Sequence, residues 1–301
     1  MKDAVLIAGP TASGKSELAL EIARQTGAEI VNADSMQVYG VLRVLTARPS
    51  PEEETELPHH LYGHVPPSRA HSTGQWLRDV ADLLAGAAGS GRRFVFVGGT
   101  GLYFRALTGG LSEMPPVPAS VREHWRARLT EEGAPSLHAV LAASDAEAAG
   151  RIGPADGQRI VRALEVLEAT GRPIGHWQAR RGPSLVDPAT TRRLVIAPDR
   201  TVLRSRIDAR FDGMVEAGAL DEVRELLALR LDPALPAMKA IGVPELSSYL
   251  DGASSLDDAL TRAKAATRQY AKRQETWFRH QLGPDWRMID TTGGIDSSFR
   301  S

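Results

Sequence analysis

A stretch near the start of the chain, Gly9-Pro10-Thr11-Ala12-Ser13-Gly14-Lys15-Ser16, has the spacing G-x-x-x-x-G-K-[ST]. Its glycines let the backbone curl until several N–H groups face one point, the lysine brings a mobile positive charge, and the serine hydroxyl suits Mg²⁺. The chemistry is the holding of phosphate or diphosphate. The loop does not say whose. A second group, Asp34-Ser35-Met36-Gln37-Val38-Tyr39, places a carboxylate directly after a strand-like run. Asp34 is open to three readings: a magnesium partner as in a kinase, a proton acceptor for a substrate nucleophile, or a helix N-cap. Many P-loop proteins carry an acidic metal partner at the end of a later strand, but here Phe94 to Val97 runs into Gly98-Gly99-Thr100-Gly101-Leu102-Tyr103. Small residues there either let the backbone and the Thr100 hydroxyl approach a ligand closely or make a tight connection and nothing more.

A phosphate loop needs a strand before it and a helix after it. The apolar run Ala4 to Ala8 reads as a buried strand, and Leu18, Ala19, Ile22 and Ala23 share one face of a helix over Glu17 to Gln25. Glu29 to Ala33, Phe94 to Val97 and Arg193 to Ala197 read as further strands, with a helix over Gln75 to Ala88. This alternation places the chain in the α/β class, as a P-loop NTPase-like parallel sheet core flanked by helices. Pro49 to His71 has no sustained period and reads as an irregular connection. Met114-Pro115-Pro116-Val117-Pro118 is a rigid hinge that opens an inserted, mostly α-helical lobe, with helical patterning over Val121 to Glu132, Ser136 to Ala142, Asp145 to Arg151 and Gln158 to Thr170. The expected division is a core of residues 1–110 and 191–301 and a lobe of residues 111–190. Thr201 to Leu229 and Ser255 to Leu282 read as long helices of the core, the second with Asp257 and Asp258 in its first turn.

The absence of cysteine excludes thiol catalysis, Cys-ligated zinc and iron–sulfur clusters. The opening apolar run is too short for a signal peptide or a membrane span, so the expected location is cytoplasmic, with no membrane partner. The formal net charge of -1 hides an uneven distribution: residues 1–150 carry -4, residues 151–210 carry +6, and residues 211–301 carry -3. The basic middle is either the footprint of a nucleic-acid contact or an arginine-rich solvated helix face.

Taken together and in this order, the three glycine- and aspartate-containing motifs resemble those of the tRNA dimethylallyltransferase family. Thr46-Ala47-Arg48-Pro49, His59-His60-Leu61, Asp156-Gly157-Gln158-Arg159-Ile160-Val161-Arg162-Ala163-Leu164-Glu165-Val166, Ala240-Ile241-Gly242 and the segment Thr267 to Arg279 extend the resemblance to about residue 286. It departs at Asn32, where serine is more usual, at Val44-Leu45 in place of I-G, and at Val243, where an aromatic often stands.

The resemblance implies transfer of a dimethylallyl group from dimethylallyl diphosphate to N6 of adenosine 37, beside the anticodon of tRNAs that read U-initial codons. It implies Gly9 to Ser16 as the diphosphate cradle, with Mg²⁺ on Ser16, Thr100 against the oxygen between prenyl and diphosphate, and Asp34 as base. It implies tRNA contact by Asp34, Ser35, Met36, Gln37 and Thr100, by Arg122, and by Gln158, Arg159, Ile160, Val161 and Arg162, with the anticodon stem-loop as partner of a monomer. Arg159 and Arg162 lie three apart on one helical face and suit phosphate or base contact, or else pair with Glu165. Arg206 and Arg210, one turn apart, are further candidates to clamp the diphosphate. On Ser255 to Leu282, Leu256, Leu260, Ala263, Tyr270, Trp277 and Phe278 read as packing, while Arg268, Lys272, Arg273 and Arg279 offer cations. Three rivals stand beside this reading: a free-nucleotide dimethylallyltransferase, a small-molecule P-loop kinase or ATPase, and a non-catalytic RNA-binding protein.

Overall fold

All the apolar runs expected as strands pair into one sheet. The computed structural model describes residues 1–290, so the end of the expected core range, 291–301, lies outside the described residues. Its strands are β1 (Val5–Ala8), β2 (Glu29–Asn32), β3 (His59–His60), β4 (Phe94–Gly98), β5 (Arg192–Ile196) and β6 (Arg287–Ile289). Their order is β3-β2-β4-β1-β5-β6, every neighbouring pair parallel. Alternation along each strand sorts the side chains onto two faces. Leu6, Val31, Phe94 and Phe96 face one apolar layer with Trp76, Tyr103 and Phe104, while Val5, Ile7, Ile30, Val95 and Val97 face another with Leu18, Ile22 and Ala23.

The helices of the core are α1 (Lys15–Thr26), α2 (Pro51–Glu56), α3 (Thr73–Gly86) and α4 (Gly101–Gly109), then, after the inserted unit, α9 (Arg200–Glu216), α10 (Ala219–Ala228), α11 (Val243–Leu250) and α12 (Leu256–Gln281). The inserted unit holds α5 (Ala119–Ser144), α6 (Ala146–Arg151), α7 (Gly157–Thr170) and α8 (Ile174–Gln178). The expected continuous helix over Thr201 to Leu229 is broken into α9 and α10, because Gly218 adopts φ 103 and ends the helical path. The two helices expected within 121–142 are joined as α5 with a break at Gly133 (φ 78), next to Pro135. Within the irregular stretch 49–71, Ser50 and Glu53 form a reciprocal capping box that starts α2, and His59–His60 pairs with Ile30 and Val31.

The chain divides into two compact units, residues 1–108 with 184–301, and residues 109–183. The chain re-enters the first unit at Ser184, ahead of the expected 191, because this segment is bonded to the N-terminus. The Met1 amino group donates to Leu185 O at 2.8 Å, Asp187 N–H donates to Met1 O at 2.6 Å, and Asp3 N–H donates to Thr190 Oγ1 at 2.9 Å. The second unit has its own core, built on Trp125, Leu137, Leu141, Ile160, Leu164 and Val166. No helix among the described residues is long and apolar enough to cross a membrane.

Candidate active site

Because the sheet is parallel, the loops that leave β1, β2 and β4 all emerge at its carboxyl edge, where open α/β sheets bind ligands. In the glycine-rich loop, Ala12 (φ 62) and Gly14 (φ 92) take left-handed backbone, and Ser13 N–H donates to Pro10 O at 3.3 Å. Gly14 caps α1 without a side chain, so the first-turn amides and the positive end of the helix dipole form a cradle for an anion. Lys15 Nζ donates to Pro10 O at 3.2 Å. Burial brings the Lys15 pKa down to about 8; Asp34 pulls against that shift and Arg210 adds to it.

Two arginines line the same cleft. Arg206 and Arg210 lie one turn apart on α9, whose Leu203 and Ile207 pack with Ala12 of the loop and Ala271 of α12. Arg210 Nη1 donates to Thr11 Oγ1 at 3.4 Å. The cleft at this place, of about 580 Å³, is lined by Ala12 to Glu17, Arg206 and Arg210, by Gln37, Arg48, His59 and Tyr62, and by apolar Leu20, Ile30 and Val97.

The loop after β2 is organised by Asn32, which is fully buried. Its Oδ1 accepts Asp34 N–H at 2.8 Å, and its Nδ2 donates to Asp34 O at 2.9 Å and to Leu61 O at 3.0 Å. Asp34 Oδ1 accepts Met36 N–H at 2.9 Å, which closes a turn; no helix follows, so the N-cap reading of Asp34 falls away. Asp34 Oδ2 has no hydrogen bond among the described residues, and its charge reaches Lys15 and Arg210. Thr100 ties this turn to the one after β4: its Oγ1 accepts Ser35 N–H at 2.9 Å and donates to Ser35 Oγ at 3.2 Å. Gln37 Nε2 donates to Thr46 O at 2.9 Å and Ala47 O at 2.8 Å, which holds the segment carrying Arg48 against the cleft.

Close approach of the β2 and β4 loops requires glycine. A Cβ on Gly98 would stand 2.1 Å from Ala33 C and O, both backbone atoms that cannot step aside. Gly98→Ala is therefore expected to lose about 1–3 kcal/mol of stability, as overpacking does. Gly86→Ala, where a Cβ meets nothing within 4 Å, is expected to gain about 0.4–1 kcal/mol. Thermal unfolding of the two variants side by side checks the contrast.

Of the residues expected to meet RNA, Asp34 to Gln37 and Thr100 belong to this site, while Arg122 and Gln158 to Arg162 belong to the second compact unit. There Arg122, Gln158 and Arg159 are exposed, and Arg162 Nη1 lies 3.3 Å from buried Glu165. Ile160 and Val161 are buried in that unit's own core, so the expectation of RNA contact is corrected for their side chains. Arg268 is engaged by Asp208 of α9 at 2.5 Å, whereas the other three cations expected to serve RNA on α12, Lys272, Arg273 and Arg279, are exposed. Sequence reasoning passed over Gln274, which bonds to both Thr11 and Gly99, and over Asn32, noted as a departure but not as the organiser of the turn. The signal for Gln274 was a polar residue at i+3 from Ala271 on an apolar helical face.

The sequence profile described as IPP transferase matches residues 37–281, and one described as isopentenyl transferase matches residues 2–62. A tRNA dimethylallyltransferase of Chelativorans sp. (strain BNC1) is 62% identical over 95% of this chain and 98% of its own. One of Rhizobium meliloti (strain 1021) is 58% identical over 96% of this chain and 95% of its own. Among solved structures, the full-length tRNA isopentenylpyrophosphate transferase of Bacillus halodurans is 32% identical with a TM-score of 0.69, covering 100% of this chain and 93% of its own. A eukaryotic dimethylallyltransferase acting on tRNA is 27% identical with a TM-score of 0.83, covering 97% of this chain and 74% of its own.

Proposed function

The chain belongs to the IPP transferase family, and from that premise we propose that its glycine-rich cradle holds dimethylallyl diphosphate while Asp34 serves the amine that displaces the diphosphate. The reaction is transfer of a dimethylallyl group to tRNA. The acceptor is N6 of adenosine 37 in tRNAs reading U-initial codons. A single observation supports the assignment of roles: the glycine-rich loop, the Asp34 turn and the Thr100 turn leave parallel β1, β2 and β4 at one edge of the sheet, where Thr100 bonds Ser35 and Gln274 bonds both Thr11 and Gly99.

The chemistry follows from that arrangement. The adenine amine is a weak nucleophile because its lone pair is delocalised into the ring. As that lone pair bonds to the allylic carbon, the carbon–oxygen bond to diphosphate breaks and its electron pair leaves with the diphosphate. Lys15, Arg206, Arg210 and the amides of the loop and first helical turn stabilise the negative charge on the departing group. Asp34 Oδ2 takes the amine proton. The Thr100 hydroxyl proton, directed at Ser35 Oγ in the free protein, turns to the oxygen between prenyl and diphosphate. Ser16 is exposed on the cleft wall, and its hydroxyl would be an oxygen donor for Mg²⁺. Mg²⁺ held there supplies further positive charge to the diphosphate oxygens. The exposed Arg122, Gln158 and Arg159 serve the anticodon stem-loop through phosphate and base contacts.

Lys15 makes substrate affinity depend on pH. Its pKa of about 8 in the free protein rises when a diphosphate arrives, because an anion favours the ammonium form. Binding therefore takes up a proton above that value. The expected outcome is a Kd for dimethylallyl diphosphate that is flat below about pH 8 and weakens up to about tenfold per pH unit above it, as linkage requires. Titration by calorimetry in two buffers of different ionisation enthalpy measures the proton uptake directly. Flat affinity from pH 7 to 9.5 contradicts this role for Lys15. The function itself is tested by incubating the protein with dimethylallyl diphosphate, Mg²⁺ and either an anticodon stem-loop or free AMP; product on AMP alone overturns the tRNA reading.

A further inference from the structure

One polar side chain stands on the buried face of α12. Gln274 is 5% exposed and continues the inward series of Ala263, Ala271 and Phe278. Its amide spans two loops: Oε1 accepts Thr11 N–H at 2.9 Å, and Nε2 donates to Gly99 O at 2.9 Å. Thr11 belongs to the anion cradle. Gly99 precedes Thr100, and a Cβ placed on it would stand 3.0 Å from Asp34 Oδ2 and 2.1 Å from Gln274 Nε2. Close packing of the amide is thus what keeps residue 99 a glycine. One turn along α12, Trp277 packs over Gly101, where a Cβ would come within 2.0 Å of the indole ring. The helix therefore bears on the start of α4 at a second point.

We propose that Gln274 is a positioning residue that sets the distance between the diphosphate cradle and the Asp34 and Thr100 turns, and hence between leaving group and nucleophile. The proposal rests on the prenyl-transfer reading of this site. A primary amide presents an acceptor and a donor in one rigid plane, which is what a backbone N–H on one loop and a carbonyl on the other demand. Both backbone groups are satisfied by the same side chain, so its loss leaves the two loops joined only further back, where Gly9 N–H donates to Gly98 O at 3.3 Å, and lets the segments beyond that point shift. Displacement of diphosphate by an amine depends on alignment of three atoms in line, and a misplacement of about 1 Å costs on the order of a hundredfold in rate.

The test compares single-turnover prenyl transfer to an anticodon stem-loop for the wild type, Gln274→Met and Gln274→Glu, all well below their unfolding temperatures. Gln274→Met keeps the volume and removes both bonds; its rate is expected to fall about 10- to 100-fold, with stem-loop affinity within about threefold of wild type. In Gln274→Glu, a protonated carboxyl reproduces both bonds, with one oxygen accepting from Thr11 and the O–H donating to Gly99, whereas the carboxylate lacks the donor. Its rate relative to wild type at the same pH is expected to rise at least tenfold between about pH 8 and pH 5.5, since burial favours the neutral acid. A Gln274→Met rate within threefold of wild type, or a pH-independent ratio for Gln274→Glu, overturns the proposal. If Gln274→Met does not fold, the Gln274→Glu ratio decides alone. Failure of the wild type to prenylate the stem-loop refutes the parent reading, and is seen separately from either variant result.

Discussion

Asp34→Asn lowers the single-turnover rate of prenyl transfer by about 10²- to 10⁴-fold, the range that removal of a general base costs, while tRNA affinity stays within about threefold. The substitution is chosen because asparagine retains an oxygen able to accept Met36 N–H, so the turn that Asn32 and Asp34 close remains intact. What is lost is the charge at Oδ2, a carboxylate oxygen without a hydrogen bond among the described residues. Asp34→Ala is a poorer probe, because it also releases the Met36 amide and loosens the loop. Rapid-quench measurement with saturating dimethylallyl diphosphate and Mg²⁺ reads the rate; electrophoretic mobility shift reads the binding. Turnover within tenfold of wild type removes Asp34 from proton transfer and leaves it the role of orienting the adenine.

Lys15→Met is the second large effect, and its two parts have opposite signs. Turnover falls by about 10²- to 10³-fold, as when a group aimed at developing charge is deleted. Stability of the free protein, by contrast, is held or raised. In the unfolded chain this lysine titrates near its ordinary 10.5, and in the native protein near 8. Below about 8 both states carry the proton, and the native state bears the full cost of a buried ammonium. Between about 8 and 10.5 the unfolded chain binds the proton and the native one does not, so native stability rises with pH across that window. Methionine removes both the cost and the rise. Thermal unfolding at pH 7 and pH 10 for both proteins checks it: the variant exceeds wild type at pH 7, and the gap closes at pH 10. A variant less stable than wild type at pH 7 means that Lys15 is a structural residue rather than a strained binding group.

Much of this site was legible in the sequence for a simple reason: it is built from segments whose chemistry is local. The curl of Gly9 to Ser16, the turn at Asp34 and the glycines at 98 and 99 each follow from residue types in sequence order, and parallel pairing of β1, β2 and β4 brings them to one edge. Strands β1, β2, β4 and β5 were legible because buried parallel strands are short apolar runs bounded by glycine and polar residues, whereas β3 and β6 were not. The division of the helix at Gly218 was harder to read, since a glycine within helical periodicity ends a helix only when its neighbours favour φ above zero. The strand at His59–His60 offers two residues and no alternation, so pairing with Ile30 and Val31 alone reveals it. Gln274 bonds across 263 residues to Thr11 and across 175 to Gly99, a relation that no window on the sequence contains. Ile160 and Val161 show the reverse case: within a motif expected to meet RNA, these two positions turn their side chains into the core of their own unit.

Prenyl transfer is defined by where the displaced group goes and what replaces it. The most direct measurement is mass analysis of nucleosides from tRNA incubated with the protein, Mg²⁺ and dimethylallyl diphosphate, with diphosphate assayed in the same reaction. The predicted result is one five-carbon unit gained by adenosine 37 for each diphosphate released, lost together in Lys15→Met. Unchanged tRNA, with inorganic phosphate released from ATP in place of diphosphate from the allylic donor, contradicts it.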